Sequence, residues 1–189
     1  MSLVLVGSTS GSVTLQEPAV AGTTVLDLPA VSGTILTTGS SGQSIPKAAL
    51  PTGSVLQVVQ ATTATAVSTT STSFVTTGFS ATITPTSATS KILIMGSVII
   101  RCPTGSNNYQ HTIYRGATNI APNTSRGFIQ CRGSPSGEPD MTPAFQYLDS
   151  PSTTSSTTYT WYHKSEGGVT SWFAIDNSFA QLTLLEIAA

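Results

Sequence analysis

Tyr159-Thr160-Trp161-Tyr162-His163-Lys164 alternates between two sets of side chains. At a period of two, Tyr159, Trp161 and His163 share one face and Thr160, Tyr162 and Lys164 the other, the pattern of a β-strand whose first face is packed into a core. The same period runs through Tyr109–Arg115, where Tyr109, His111, Ile113 and Arg115 oppose Gln110, Thr112 and Tyr114. In Gln181–Ile187, Leu182 and Leu184, with Glu186, oppose Thr183, Leu185 and Ile187, so this segment is apolar on both faces. Such a strand is either central in a sheet or pressed against another subunit, and the sequence leaves both open.

Further strands are predicted at Val55–Gln60, Phe74–Phe79, Ala81–Thr84, Lys91–Arg101, Gly127–Arg132 and Ser171–Ile175, all rich in Val, Ile, Thr and aromatic residues that suit a pleated surface. No stretch shows an extended helical stripe. The segment Ala144–Leu148 could hold a short helical turn, but Pro135, Pro139, Pro143 and Pro151 around it favour irregular loop or an edge strand. Short strands at this spacing predict an all-β jelly-roll sandwich over residues 54–189.

Residues 1–53 read differently. Pro18-Ala19-Val20-Ala21-Gly22-Thr23 recurs as Pro29-Ala30-Val31-Ser32-Gly33-Thr34, a shift of 11 residues. Each unit is strand, turn, strand, too small to close a core alone, so its apolar row must be covered by neighbours, here other copies of the chain. Gly39-Ser40-Ser41-Gly42-Gln43 has the composition of a flexible joint. The expected organisation is an N-terminal anchor and short β-repeat stalk with a hinge, residues 1–53, followed by a knob, residues 54–189. The apolar run Leu3-Val4-Leu5-Val6 is the candidate particle anchor, expected as a strand held by a partner chain or by the particle surface.

Composition narrows the function. Of 189 residues only 8% are charged, with 7 Lys+Arg against 8 Asp+Glu, while 32 Thr and 27 Ser supply most of the polarity. A near-neutral chain lacks the basic run that counterion release on nucleic acid or attraction to an acidic membrane requires. The longest apolar stretches, Ile92–Met95 and Val98–Ile100, are separated by Gly96-Ser97, so no membrane insertion is expected, and Met1–Gly7 lacks the basic and long apolar regions of a secretory leader. Cys102 and Cys131 could form one bridge, but the low cysteine density and the tendency of free cysteine to be buried favour two buried thiols.

Catalytic constellations are scarce. Three copies of His111 around an axis could hold a metal, yet a strand histidine paired with a neighbouring hydroxyl, or solvated, is the expectation for both His111 and His163. Glu138 and Asp140 lie too close in sequence to flank a sugar as a glycosidase pair and supply too few oxygens for calcium. No enzyme activity and no cofactor are expected. Arg101, Arg115, Arg126 and Arg132 are expected first as ion-pair partners of Glu138, Asp140 or Asp149. The candidate ligand-binding residues are Tyr109, Tyr147 and Tyr162, whose rings could stack on a host-surface glycan, with Arg126 and Arg132.

Three stretches carry a resemblance: Gly22-Thr23-Thr24-Val25-Leu26-Asp27-Leu28-Pro29-Ala30-Val31-Ser32-Gly33-Thr34-Ile35-Leu36-Thr37-Thr38-Gly39, Leu50-Pro51-Thr52-Gly53-Ser54-Val55-Leu56-Gln57-Val58-Val59, and Leu182-Thr183-Leu184-Leu185-Glu186-Ile187. Together they resemble short fibre and tail-fibre proteins of tailed bacteriophages, notably those of cyanobacterial and marine phages. The resemblance implies a homotrimeric virion protein, made in the host bacterial cytoplasm and carried on the virion surface. Its N-terminus would meet tail, neck or capsid proteins. Its knob would be a jelly roll similar to the tumour necrosis factor and complement globular-head class, binding a host-surface glycan. The repeat is short for a long fibre, which keeps a capsid decoration or cement (head fibre) protein as the alternative. A polysaccharide depolymerase is the second rival and would need carboxylates facing each other across a groove.

Overall fold

The computed structural model describes residues 3–6, 12–15, 50–102, 104–105 and 107–189, and the chain divides into two units, Met1–Ser44 and Ile45–Ala189. The Pro18 and Pro29 repeat and the Gly39–Gln43 joint lie outside the described residues. In the first unit β1 (Leu3–Val6) pairs antiparallel with β2 (Ser12–Leu15), Leu3 opposite Leu15 and Val6 opposite Ser12. The apolar run Leu3–Val6 is a strand, as expected, and its ladder partner among the described residues is β2 of the same chain.

The second unit contains β3 (Val55–Thr63), β4 (Val67–Thr69), β5 (Val75–Ile83), β6 (Lys91–Val98), β7 (Ile100–Arg101), β8 (Asn108–Arg115), β9 (Thr118–Asn119), β10 (Ile129–Arg132), β11 (Asp140–Met141), β12 (Ala144–Asp149), β13 (Thr157–Ser165), β14 (Ser171–Phe173) and β15 (Ala180–Ile187). Helical geometry among the described residues is limited to two three-residue turns, Glu166–Gly168 and Ile175–Asn177. The front sheet has the order β12-β6-β15-β3 and is continued, in the same order, by β11-β7-β14-β4; the back sheet is β10-β8-β13-β5, with β9 paired to β8. Every strand pairing is antiparallel.

Counting β3/β4, β6/β7, β11/β12 and β14/β15 each as one interrupted path, the chain crosses from sheet to sheet at every connection except β8 to β10. Two four-stranded antiparallel sheets wired in this way form a jelly roll. The wiring also resolves the doubly apolar C-terminal segment. β15 sits between β6 and β3 in the sheet interior, with Leu182, Leu184 and Glu186 buried on its inner face.

One core joins the two sheets. On β13, Tyr159, Trp161 and His163 all point inward and are at most 1% exposed, as the alternation predicts. Trp161 sits edge-on to Phe145 of β12 and Phe173 of β14, with ring centroids 5.3 and 5.5 Å away. Gly96 on β6 makes this packing possible, since a Cβ there would lie 2.4 Å from Phe145 Cε1 and 2.7 Å from Trp161 Cζ3. The two strands expected at 74–79 and 81–84 are one strand, β5. Its pairing register with β13 shifts between Thr160 and Tyr162, and Gly78, at φ +78°, takes the left-handed conformation that such a bulge favours. The proline-flanked segment at 144–148 is the edge strand β12, paired to β6 on one side.

The expectation of two free thiols is overturned. Cys102, just after β7 in the front sheet, and Cys131, on the inner face of β10 in the back sheet, are disulfide-bonded with their Cα atoms 6.1 Å apart. Both are buried, as expected for cysteine, but on opposite inner walls of one sandwich, so burial brings them together.

Candidate functional site

The structure separates the proposed ligand-binding residues. Tyr109 is fully buried on the inner face of β8, its hydroxyl 2.6 Å from His163 Nδ1, so it offers no ring to a ligand. The alternation that placed it beside His111 and Ile113 was right, but that face is the core face. Tyr147 lies on the inner side of β12 against Phe128, centroids 5.1 Å apart. Tyr162 faces outward from the back sheet and stacks on Tyr114 at 4.0 Å. Arg126 and Arg132 are exposed. The three tyrosines thus belong to the core interior, the front sheet and the outside of the back sheet, and they form no common platform.

The two histidines are opposite one another on β8 and β13, each 1% exposed. The indole N–H of Trp161 donates to His111 Nδ1 at 3.1 Å. An indole can only donate, so the His111 proton is on Nε2. Burial holds the Tyr109 hydroxyl pKa well above its usual value, so a neutral phenol meets His163 Nδ1, and the tautomer of His163 sets which of the two donates. Neither Nε2 finds a partner among the described residues. Burial, joined by the neighbouring His163, pushes His111 well below the ordinary histidine range, and burial lowers His163 to about 4. Burial favours the neutral form of both rings, and because both are enclosed between the two sheets of one chain, His111 cannot meet other copies of itself around an axis and the metal idea fails. His163 has the hydroxyl partner expected of it; His111 is neither solvated nor hydroxyl-paired.

Two of the four arginines form the expected ion pairs. Arg115 Nη1 donates to both carboxylate oxygens of Asp149, at 2.9 and 2.8 Å, and Tyr159 donates to Oδ2 of the same group at 2.7 Å. This ties β8 and β13 of one sheet to β12 of the other, and burial, then the bond to Asp149, holds the Tyr159 proton tightly. Arg101 pairs with Asp140 and Asp176, and the Arg101 hydrogen bond lowers the Asp140 pKa. Asp140 is thereby committed to an ion pair, and Glu138 is exposed. Glu186 is 0% exposed with no cation beside it among the described residues; burial pushes its pKa up, but donors from Thr86 and Gln57 at 2.6–2.7 Å outweigh that and hold it below the usual range.

The surface that remains is the outer face of β12-β6-β15-β3. Cross-strand partners share a face, so the registers set out its rows. Leu148, Leu93, Leu185 and Val58 run across all four strands; above them lie Gln146, Met95, Thr183 and Gln60, then Ala144, Ser97, Gln181 and Thr62. Below the leucine row are Lys91, Ile187 and Val55. Leu148, Val55 and Val58 are 47%, 49% and 59% exposed. Lys91 at the margin is the only charge among these residues. Sequence reasoning flagged Leu185 and Ile187 as a second apolar face but missed Leu93 and Leu148. Leu93 was hidden inside the run Ile92-Leu93-Ile94, where periodicity has no contrast, and Leu148 inside the proline-flanked segment.

No protein-family model and no curated protein matches this sequence. Among solved structures, the chain is similar to infectious bursal disease virus VP2 in its subviral particle, with a TM-score of 0.42 and 17% identity over 79% of this chain and 37% of that one. It is also similar to the structure of the Gx strain of the same virus, with a TM-score of 0.39 and 17% identity over 71% and 33% of the two chains. The chain spans about a third of the length of these structures. Likeness at this level carries no functional argument.

Proposed function

We propose that this chain is a structural protein of a tailed-bacteriophage virion: a homotrimeric short fibre, attached to the particle through its N-terminal unit and displaying the jelly-roll knob for binding at the host surface. The observation that carries this reading is the apolar row across the outer face of β12-β6-β15-β3, a face whose one charge among the described residues is Lys91. A solvent-facing sheet normally alternates to polar residues on its outside, whereas this one presents Leu148, Leu93, Leu185 and Val58 in a row.

The occupant is a second copy of the chain. The face carries no charge beyond Lys91, so two copies meet without stranding like charges, and Thr and Gln at its upper rows can hydrogen-bond across a seam. Strands about 4.8 Å apart and about 3.4 Å per residue give a face of roughly 500 Å² in projection, more with side-chain relief, the order of the about 800 Å² per partner of a stable interface. Poverty of charge across the whole chain fits the same picture, since uncharged hydroxyls are inexpensive to desolvate at repeated seams.

Light scattering on the intact chain tests the assembly. Three times the 19.4 kDa chain mass is expected, and Leu185→Glu should shift the mass toward monomer while retaining the near-ultraviolet signature of a packed core. A wild-type monomer overturns the reading. Antibody labelling of intact particles then separates the two locations: tail or neck for a fibre, the shell for a cement protein.

A further inference from the structure

The two tryptophans have opposite fates. Trp161 is in the core, whereas Trp172 on β14 is only half-buried and faces outward. Its register neighbours on that face are Arg101 on β7 and Ser68 on β4, with Asp140 of β11 beyond Arg101. Trp172 stacks on no other ring and its indole N–H has no partner among the described residues. Beside it a cleft of about 270 Å³ is lined by Ala66, Arg101, Trp172, Ile175 and Asp176.

The polar wall of this cleft is held in place. Arg101 Nε and Nη2 donate to the two Asp140 oxygens at 2.7 and 2.9 Å, and Nη2 also reaches Asp176 Oδ2 at 3.2 Å. The turn that presents Asp176 has left-handed backbone at two non-glycine residues, Ala174 (φ 51°) and Asp176 (φ 53°). The Asp176 side chain is 78% exposed although ion-paired, so its carboxylate has lone pairs left to accept hydrogen bonds. The site therefore combines a flat apolar plane, a free indole donor, a fixed guanidinium and open carboxylate acceptors, which is what the apolar face and hydroxyl rim of a sugar ring require. Its charge is one cation against two anions, which disfavours an acidic ligand.

We infer that the Trp172–Arg101–Asp176 cleft is a binding site for one ring of a neutral saccharide. This deepens the host-surface reading and depends on it for biological meaning, and it involves none of Tyr109, Tyr147 and Tyr162. The intact chain is titrated with methyl glycosides of glucose, galactose, mannose and N-acetylglucosamine, with N-acetylneuraminic acid as the acidic comparison, and iodide quenching of tryptophan fluorescence is followed. Buried Trp161 is shielded from iodide, so the quenchable fraction reports Trp172. At least one neutral glycoside should protect it, with affinity weakened tenfold or more by Asp176→Asn and the acidic sugar ineffective. On an array of immobilised neutral oligosaccharides, Trp172→Ala, checked for an unchanged melting temperature, should lose the wild-type signal while Tyr162→Ala keeps it. Array binding retained by Trp172→Ala overturns this site and leaves glycan attachment standing. Absence of wild-type binding to every saccharide overturns both, and equal protection by the acidic sugar overturns the neutral class.

Discussion

Acidification should loosen this fold well before its carboxylates titrate, through the buried histidine pair. His163 is lowered to about 4 against an ordinary 6.5, and burial together with its neighbour lowers His111 well below that ordinary value. A lowered histidine is neutral in the folded chain but takes up a proton once unfolded. Its stability contribution is thus complete above about pH 6.5, declines as pH falls through that value, and levels off near the folded pKa. At pH 5 a histidine that remains neutral when folded and titrates near 6.5 when unfolded destabilises by about 2 kcal/mol, so the pair costs about 4 kcal/mol. That is a large part of the about 5–15 kcal/mol of a typical domain. Urea melts at about pH 7.5 and pH 5 measure it: with m about 2 kcal/mol/M, the midpoint should drop by about 2 M. In His163→Gln the drop should be roughly halved, and because the readout is the pH dependence, any baseline loss from the missing Tyr109 partner cancels. Identical midpoints at the two pH values, or an undiminished drop in the variant, would refute the assignment of neutral buried imidazoles.

Two further outcomes follow from packing. Gly96→Ala inserts a methyl between the Phe145 and Trp161 rings, and overpacking of this kind should cost at least about 1–3 kcal/mol; thermal melts showing no loss would mean that the front-sheet packing is wrong. The Cys102–Cys131 bridge closes a loop with a sequence separation of 29, for which chain entropy gives about 3–4 kcal/mol. Cys131→Ala should lower the urea midpoint accordingly, and mass spectrometry of a non-reduced digest should find the two peptides linked.

Local alternation carried most strands of the second unit. Tyr159, Trp161 and His163 were legible as an inner face because period-two contrast is a property of neighbouring residues. Contrast failed where residues on both faces are apolar. Ile92-Leu93-Ile94 reads as one run, and only its pairing with β15 and β12 shows that Leu93 faces out while Ile92 and Ile94 face in. Tyr109 shows the complementary error: its face was identified, but whether that face met solvent or the opposite sheet was not a local question. The Trp172 cleft was not legible either. Its parts come from positions 66, 101, 172 and 175–176, and nothing in the chain's linear order joins them.

By itself, then, the amino-acid order determined the β class, the approximate strand positions, the near-absence of charge and the repeat of residues 18–34, because each is set by local periodicity, side-chain shape or composition. The tertiary structure decided the rest. It joined Cys102 to Cys131, enclosed both histidines, placed β15 inside a sheet and left Leu148, Leu93, Leu185 and Val58 facing outward. Those outcomes depend on which strands become neighbours, and in a jelly roll the neighbours are residues far apart in the chain, brought together when two apolar faces close on each other.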